Sequence, residues 1–289
     1  MDEIRLTDLS YLREMSSRYG IVAKKKYGQN FLINPAVPAR IAEEGIAGEN
    51  CGVLEIGPGM GVLTRELCKR AKKVVALEID ASLLPVLDET LSDFENVDVR
   101  LADVMKTDLK ELSDEAFADC DGICVCANLP YYITSPVLMR LLESGVPFHS
   151  VTVMVQKEVA DRITAKAGSA DYGAITAAIA YYGKAEKLFS VSAGSFYPAP
   201  KVDSAVLRIS LYSENPYADC DRELLFTLIS RAFEQRRKTL VNTLKGVLPE
   251  EQRAIVPAEL TRLGFPSDVR GERLSLDDFA HLARALKKQ

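Results

Sequence analysis

The sequence has little of what metal sites and disulfide-bonded folds require. Its six cysteines include no CxxC pair, and only two histidines, His149 and His281, stand beside them, so we expect no metal site. Cys124 and Cys126 alternate within an apolar run. They are therefore predicted to be small core residues of a reduced, cytosolic protein.

Long apolar runs and targeting signals are also lacking. No run reaches the roughly 18 apolar residues that a membrane span requires. The first twenty residues carry four acidic side chains and no apolar core, which excludes a secretory signal and disfavours a transit peptide. We expect a soluble protein in the cytoplasm with no membrane partner.

An excess of positive charge is absent as well. The net charge of -5 at pH 7 argues against a protein that coats nucleic acid indiscriminately, because general phosphate binding needs a positive field. Any contact with nucleic acid must come from local patches. The length of 289 residues suits one large and one small domain, and a linker pattern at 213–216 divides them into 1–212 and 213–289.

A glycine-rich turn opens the first α/β unit. A short buried strand is predicted at 52–56, followed by Gly-Pro-Gly-Met-Gly at 57–61 and then a helix, the order found in nucleotide-binding α/β units. The third glycine of a GxGxxG fingerprint would fall at Val62. The turn therefore favours a ligand without a pyrophosphate, such as S-adenosylmethionine.

Polar side chains follow three further predicted strands, at 73–77, 97–101 and 123–128; they are Glu78, Asp103 and Asn128. Because the carboxyl ends of parallel strands share one edge of a sheet, these groups and the glycine turn are expected to line one ligand site. An acid after the second strand suits a ribose diol. A lone acid at such a position is more often a helix cap, and Asp80 is a candidate for that cap.

The stretch from Asn128 to Tyr131 forms a chemically specific corner. Pro130 ends the strand because it has no backbone donor, and the residue before a proline is pushed toward extended geometry. The Asn128 side-chain oxygen and the Leu129 main-chain oxygen can then face one space. Two acceptors beside the ring of Tyr131 match an amine on a planar base. In the alternative, Asn128 caps a helix starting near Ile133.

Three other segments carry open alternatives. Lys24, Lys25 and Lys26 precede a Tyr-Gly-Gln-Asn turn and belong either to a solvated linker or to an arm that meets phosphate and ligand. Two prolines stiffen the loop at 195–201, which holds Phe196 for ligand contact unless it is buried. A predicted helical segment at 221–245 carries basic side chains that contact phosphates or simply form a solvated face: Arg231, Arg236, Arg237 and Lys238.

Six blocks can be compared with known families: Gly-Gln-Asn-Phe-Leu at 28–32, Leu-Glu-Ile-Gly-Pro-Gly-Met-Gly at 54–61, the acids at 78 and 103, Asn-Leu-Pro-Tyr-Tyr-Ile at 128–133, Phe-Tyr-Pro-Ala-Pro-Lys-Val-Asp-Ser at 196–204 and Arg-Arg-Lys-Thr-Leu at 236–240. In this order the sequence closely resembles the small-subunit ribosomal RNA adenine dimethyltransferases. An Asn-x-Pro-Tyr motif alone would also fit DNA adenine and glutamine methyltransferases.

The resemblance implies an α/β fold: a Rossmann-like S-adenosylmethionine-dependent methyltransferase sheet with a small all-α C-terminal domain that contacts rRNA. The implied reaction moves methyl groups from S-adenosylmethionine to the exocyclic amines of two adjacent adenosines in the 3'-terminal hairpin loop of small-subunit rRNA. The products are dimethyladenosines and S-adenosylhomocysteine. The implied setting is a pre-ribosomal particle during small-subunit maturation, with a monomeric enzyme.

The resemblance, which carries over the cofactor site by position, and the chemistry of the residues together predict three groups of site residues. The cofactor-binding group is Asn30, Leu32, Gly57, Gly59, Glu78, Asp103 and Asn128, with Glu78 on the ribose and Asp103 on the cofactor adenine. The catalytic group is Asn128, Leu129, Pro130, Tyr131 and Phe196, with both rings stacked on the target base. The RNA-binding group is Lys24, Lys25, Lys26, Arg231, Arg236, Arg237 and Lys238.

Two other functions fit the same motifs. One is a dimethyltransferase of large-subunit rRNA of the macrolide-resistance type. The other is a ribosome-assembly factor for which binding matters more than methylation. A glutamine methyltransferase fits less well, because it would leave the basic segment and the Phe196 loop without a role.

Overall fold

The structure, a computed structural model, describes residues 6–21 and 29–287. Lys24, Lys25 and Lys26 lie outside these ranges, so their predicted role stays a prediction. The strands within the described ranges are β1 (Phe31–Leu32), β2 (Cys51–Ile56), β3 (Lys73–Glu78), β4 (Val97–Leu101), β5 (Gly122–Asn128), β6 (Phe148–Gln156), β7 (Gly183–Val191), β8 (Phe196–Tyr197) and β9 (Ser204–Leu211).

The helices connect and follow these strands. In chain order they are α1 (Leu9–Arg18), α2 (Ala36–Gly45), α3 (Val62–Cys68), α4 (Leu84–Thr90), α5 (Leu109–Ala116), α6 (Thr134–Leu142), α7 (Lys157–Ile163), α8 (Ala174–Tyr182), α9 (Arg222–Glu234), α10 (Leu240–Thr243), α11 (Glu250–Arg262) and α12 (Leu276–Lys287). No helix of the described ranges is long and apolar enough to cross a membrane.

The central feature is a seven-stranded sheet of order β4-β3-β2-β5-β6-β9-β7. The strands from β4 to β6 are parallel, and β9 joins β6 antiparallel. The chain builds outward from β2 to β4 on one side and then returns to add β5 on the other. The strand order therefore reverses between β2 and β5, and open α/β sheets bind ligands at that point. The predicted α/β fold class is confirmed.

The two strands at this reversal are covered on both faces. All six residues of β2 are buried, and parallel strands buried on both faces become continuous apolar runs. In β5, Cys124 and Cys126 are fully buried free thiols, as predicted for small core residues. The Cys51 thiol donates to the Cys124 sulfur at 3.2 Å across the β2–β5 pair. A rigid base thus supports the strand ends.

Aspartates begin several helices by accepting backbone N–H groups that have no partner within the helix. Asp8 accepts from Ser10 at α1, and Asp221 accepts from Leu224 at α9. Asp80 caps a short 3-10 turn through the Ser82 N–H, as predicted. Helix α6, in contrast, begins at Thr134 without a side-chain cap. The alternative in which Asn128 caps this helix is therefore wrong.

The described residues divide into two compact units. One contains the residues up to Ala160 together with Glu186–Leu211, and the other contains Asp161–Ala185 together with the residues from Tyr212 onward. The predicted linker at 213–216 lies beside the third transition, between Leu211 and Tyr212. The segment Asp161–Ala185, however, groups with the C-terminal helices rather than with the predicted domain 1–212.

The second unit is a helical cluster with its own core. Leu225 and Leu228 of α9 pack with Phe279 and Leu282 of α12, and none of the four is exposed to solvent. Tyr181 of α8 joins this cluster. Apolar side chains at helical spacing on α8, α9 and α12 thus bury one another, which explains why residues 161–185 belong with the helices that follow 212.

The predicted continuous helix at 221–245 is wrong. Helix α9 ends at Glu234, and Gln235 leaves helical geometry at φ -128° and ψ 62°. The Lys238 N–H donates to the Gln235 carbonyl at 2.8 Å, and Thr239 then caps α10. Arg236, Arg237 and Lys238 therefore lie on a turn between two helices rather than on a helix face.

Candidate active site

A cleft opens at the carboxyl ends of β2, β3 and β5, where the strand order reverses. The space between its walls, counted out into open solvent, is about 1110 Å³. Among the residues that line it are all those predicted to bind cofactor or to act in catalysis: Asn30, Leu32, Gly57, Gly59, Glu78, Asp103, Asn128, Leu129, Pro130, Tyr131 and Phe196. The glycine turn and the Asn128 corner thus share one cavity.

The glycine turn after β2 depends on backbone angles that suit glycine. Gly57, Gly59 and Gly61 have φ of 69°, 61° and 88°, a region that side chains with a Cβ disfavour. A Cβ on Gly61 would also lie 2.9 Å from Thr90 Oγ1. The Gly57 N–H donates to Leu77 O at 2.9 Å, which ties the turn to β3.

Glu78 ends β3 with a carboxylate that the backbone holds in place. Its Oε2 accepts the Gly59 N–H at 3.3 Å and its Oε1 accepts the Asp80 N–H at 2.8 Å. The side chain is buried, and burial raises the pKa of this carboxyl. Glu78 therefore links the glycine turn to the end of the neighbouring strand and borders the cleft at a fixed position.

Asp103 follows β4 on the same edge of the sheet. Its Oδ1 accepts the Met105 N–H at 3.0 Å, and its Oδ2 lies 3.9 Å from Lys106 Nζ. The hydrogen bond closes a small turn of the kind that aspartate favours. Asp103 is half-buried and borders the cleft, so it is held beside the cleft by its own loop.

The corner after β5 presents two acceptors. The Leu129 N–H continues the ladder to Met154 O at 3.2 Å, and its side chain is buried. Within residues 6–21 and 29–287, no hydrogen bond engages the Asn128 side chain or the Leu129 carbonyl. Both residues line the cleft. The corner thus offers two acceptors, as the sequence predicts, to whatever occupies the cavity.

Two aromatic rings flank this corner and are fixed by different contacts. The Tyr131 hydroxyl is hydrogen-bonded to Ser204 Oγ at 2.8 Å. Phe196 lies in β8, where it pairs with Leu32 of β1. Only 3% of Phe196 is exposed to solvent, yet it borders the cleft. Burial and ligand contact, which the sequence posed as alternatives, are therefore compatible for this residue.

The β1–β8 pair also places the first cofactor-binding block. Leu32 is buried by it, and the Ile33 N–H donates to Ser195 O at 2.9 Å. Asn30 lies just before β1, half-buried at the cleft. A segment near the N-terminus is thus joined to the Phe196 loop, which is more than 160 residues away in the sequence.

Glu55 is a cleft residue that sequence reasoning missed. It is 1% exposed inside β2, and its Oε2 has no hydrogen-bond partner among the described residues. Burial raises its pKa to about 8, and the nearby Glu78 carboxylate adds to that rise. The sequence did contain a signal, which is the acid inside the otherwise apolar Leu-Glu-Ile run at 54–56. Burying a carboxyl without a partner costs free energy, so an acid at such a position needs an explanation.

The raised pKa of Glu55 predicts a pH-dependent stability. The folded value of about 8 exceeds the unfolded value of about 4.3, so its contribution is fully present below about pH 4 and is lost as the pH rises to 8. In cofactor-free protein we expect the free energy of unfolding to fall between about pH 5 and 8, by up to about 1.4 kcal/mol per pH unit.

Urea unfolding of the Glu55→Gln variant at several pH values tests this expectation. The glutamine cannot ionise, so its stability curve should be flatter than that of the unchanged protein over the same range. Glu95→Gln, at an exposed position, should keep the original slope. Parallel curves for the unchanged protein and Glu55→Gln would contradict a buried, neutral Glu55.

The charges around the cleft decide which ligand it suits. Of the described residues that line it, three are acidic and none is lysine or arginine; the acidic ones are Glu55, Glu78 and Asp103. Burial favours the neutral form of Glu55 by raising its pKa, so Glu78 and Asp103 supply the negative charge. Such a lining is unfavourable for a pyrophosphate and favourable for a ligand with positive charge and a ribose. S-adenosylmethionine, which carries a sulfonium and an ammonium group, fits these residues.

Comparison with known proteins decides the family. The family model for ribosomal RNA adenine dimethylase matches residues 21–284. The chain belongs to the ribosomal RNA adenine dimethylase family. The family resemblance is confirmed, and the protein is an S-adenosylmethionine-dependent methyltransferase. The Glu55 Oε2, which has no partner in the described part of the chain, and the open space beside Gly57 fit that cofactor.

Relatives of this adenine dimethylase are similar along almost their whole length. The ribosomal RNA small subunit methyltransferase A of Bacillus licheniformis is 44% identical over 278 residues, covering 96% of this chain and 95% of the relative. The protein of the same name from Geobacillus thermodenitrificans is 46% identical over 277 residues, covering 95% and 94%.

Two solved structures share the fold of this family member. A dimethyladenosine transferase from Plasmodium falciparum superposes with a TM-score of 0.75 at 26% identity, covering 89% of this chain and 97% of that chain. The 23S rRNA methyltransferase ErmE superposes with a TM-score of 0.69 at 28% identity, covering 89% and 100%. Both likenesses extend well beyond the nucleotide-binding motifs.

The basic residues predicted to bind RNA lie in the second unit and differ in their contacts. Arg231 pairs with Glu234 at 2.7 Å. Arg236 donates to Glu272 and to the carbonyls of Ala170 and Tyr172, so it joins the 161–185 segment to the C-terminal helices. Arg237 and Lys238 are exposed, and the described part of the chain offers them no ion pair.

Proposed function

We propose that this protein dimethylates the exocyclic amines of two adjacent adenosines in the 3'-terminal hairpin loop of small-subunit rRNA. One observation carries the proposal: Asn128 and Leu129, whose side-chain and main-chain oxygens have no hydrogen-bond partner among the described residues, line the same cavity as the glycine turn and its acidic surroundings. An amine with two hydrogens, presented beside a cationic methyl donor, is the substrate that this arrangement matches.

The acceptors at the corner orient the amine. An adenine amine is a poor nucleophile because its lone pair is delocalised into the ring. The Asn128 side-chain oxygen and the Leu129 carbonyl accept its two hydrogens, which fixes the plane of the amine and the direction of its lone pair. Both oxygens are held in place because β5 and the Leu129–Met154 hydrogen bond anchor the backbone on either side.

The aromatic rings of Tyr131 and Phe196 bind the extruded base between them. Each stack contributes roughly 1 to 3 kcal/mol, which offsets the few kcal/mol needed to take a base out of its loop. The Ser204 hydrogen bond holds one ring and the β1–β8 pair holds the other. The base-binding space is therefore preformed rather than assembled by the substrate.

Different cofactor-binding residues contact different parts of the methyl donor. S-adenosylmethionine, when bound, supplies an activated methyl group. Glu78 accepts from the ribose hydroxyls, and Asp103 accepts from the adenine of the cofactor. Gly57 and Gly59 allow close backbone approach, while Asn30 and Leu32 cover the donor from the β1 side. All of these groups border the one cleft.

The small subunit is the preferred source of the substrate. The relatives named small subunit methyltransferase A are 44% and 46% identical to this chain, whereas the 23S enzyme ErmE is 28% identical. The negative net charge supports recognition of a structured particle rather than of free RNA. The proposed enzyme acts as a monomer in the cytoplasm, where ribosomes assemble.

Labelled S-adenosylmethionine and separated ribosomal subunits test the proposed substrate. Small subunits that lack the modification should accept label, and digestion to nucleosides should release it as N6,N6-dimethyladenosine. Large subunits should accept none. Label in the large subunit, or in protein glutamine, would contradict the proposal and favour one of the rival methyltransferase functions.

The turn between α9 and α10 is predicted to contact phosphate groups of the rRNA. Arg237 and Lys238 are exposed without an ion pair in the described ranges, whereas Arg236 is committed to contacts within its own unit. Replacing Arg237 and Lys238 by glutamine should weaken binding to small subunits. The slope of the logarithm of the binding constant against the logarithm of the salt concentration should become shallower by about 1 to 2.

The salt dependence of particle binding, measured by sedimentation, checks this prediction. Lys245→Gln and Lys287→Gln, combined in one variant, serve as the control because they remove two positive charges from other positions of the same unit. An unchanged slope for the Arg237 and Lys238 double variant would exclude phosphate contacts from this turn.

A further inference from the structure

The turn that follows the Asn128 corner carries two adjacent tyrosines, Tyr131 and Tyr132, which differ in their exposure to solvent. Tyr131, Tyr132 and Ile133 form one 3-10 turn, in which consecutive side chains point about 120° apart. Tyr131 is directed to Ser204 and is half-buried. Tyr132 is 60% exposed and still borders the cleft. The two rings therefore occupy the interior and the mouth of the same site.

No contact within the described residues holds the Tyr132 ring in place. Its hydroxyl has no hydrogen-bond partner in the portion of the chain that the structure describes, and no cation or aromatic ring packs on it there. Among the other exposed apolar side chains, Ile79 at 49% also borders the cleft but carries no ring, whereas Leu101 at 54% does not line it. A large unpartnered ring at the mouth of a base-binding site is placed to stack on a base.

We propose that Tyr132 stacks on the nucleotide next to the adenosine that occupies the cleft. The inference rests on the proposed function, because it requires an RNA substrate whose target base is extruded. Extrusion removes one stacking partner from the neighbouring base, which then presents an open face one backbone unit from the mouth. Tyr132 replaces that partner.

The chemistry of the substrate gives this contact a specific role. In a pair of adjacent target adenosines, the neighbour of the first target is the second target. Tyr132 thus holds one adenosine outside while the other is methylated, and it contacts whichever of the two is not in the cleft. It is a substrate-positioning residue that affects RNA binding and the completion of both sites rather than the transfer step itself.

Tyr132→Ala, Tyr132→Phe and a Leu101→Ala control test the assignment with unmethylated small subunits. Tyr132→Ala should raise KM for the particle by about 5- to 100-fold, leave the affinity for S-adenosylmethionine unchanged and increase the share of particles with only one adenosine modified. Tyr132→Phe should behave like the unchanged protein, because the hydroxyl has no partner. Leu101→Ala removes a side chain of similar exposure and should change neither the KM for the particle nor the share of particles with only one adenosine modified.

The outcomes separate the two proposals. If the unchanged protein modifies small subunits but Tyr132→Ala has a normal KM and product distribution, the role of Tyr132 is wrong while the proposed function stands. A defect shared by the Phe and Ala variants would assign the role to the hydroxyl and overturn stacking. Loss of cofactor binding in Tyr132→Ala would likewise overturn it. An unchanged protein that modifies no small subunit would refute the proposed function itself.

Discussion

Replacing Asn128 by alanine is expected to lower the rate of methyl transfer by about 100- to 1000-fold. The variant loses one of the two acceptors that orient the target amine, and the remaining Leu129 carbonyl leaves the amine free to rotate. Because the Asn128 side chain makes no hydrogen bond within the described residues, its loss should not destabilise the fold. Single-turnover transfer to small subunits measures the effect directly.

Binding and chemistry can be separated in the same variant. Asn128 is also proposed to border the cofactor, so the dissociation constant of S-adenosylmethionine should be measured alongside the rate. We expect a small change in affinity beside a large change in rate. Asn242→Ala, which removes an exposed asparagine of α10, is the matched control. Transfer by Asn128→Ala at the unchanged rate would contradict the orienting role.

Replacing Glu78 by glutamine is expected to weaken the binding of S-adenosylmethionine by about 100-fold or more. Hydrogen bonds to a charged acceptor contribute about 1.5 to 3 kcal/mol each, and the ribose diol would lose its charged partner. The amide would also present an NH2 group to the Gly59 or Asp80 N–H that the carboxylate now accepts. The glycine turn would therefore be held less firmly.

Thermal unfolding with and without cofactor measures this loss. Saturating S-adenosylmethionine should raise the Tm of the unchanged protein by mass action and should raise that of Glu78→Gln much less. Glu95→Gln, which alters an exposed carboxylate, should keep the full shift. An equal shift in Glu78→Gln would show that Glu78 does not contact the cofactor.

The edge of the sheet that forms the site could be predicted because parallel strands have a simple geometry. Each apolar run ends where the strand must leave the core, and a polar residue at that point marks the ligand-binding edge. This rule predicts Glu78, Asp103 and Asn128, and all three line the cleft. Pro130 added the turn geometry, because a proline fixes both its own backbone and that of the residue before it.

Long-range pairings were not predictable from local pattern. Nothing near Phe196 indicates that it pairs with Leu32 of β1, more than 160 residues earlier. The same holds for residues 161–185, which pack with helices beyond 212 because their apolar faces are complementary. The end of α9 at Glu234 depends on the backbone of Gln235, which has no strong helix-breaking signal.

Glu55 shows how a residue that lines the cleft can be overlooked by pattern alone. A single acid inside an apolar strand conflicts with burial, and the simplest treatment is to count the strand as apolar. In the structure this acid is buried, its Oε2 has no hydrogen-bond partner among the described residues, and burial raises its pKa to about 8. Conflicts between local chemistry and the overall fold are expected at functional sites, and this acid was such a signal.

Mapping the methyl groups on the rRNA is the most direct measurement of the central claim, which is that one cavity holds a cationic donor and an oriented adenine amine. Unmethylated small subunits would be incubated with the protein and deuterium-labelled S-adenosylmethionine, and nuclease fragments of the rRNA would be weighed by mass spectrometry. The account predicts two labelled methyl groups on each of two adjacent adenosines in the 3'-terminal hairpin fragment. Label on any other atom or fragment, or none at all, would contradict it.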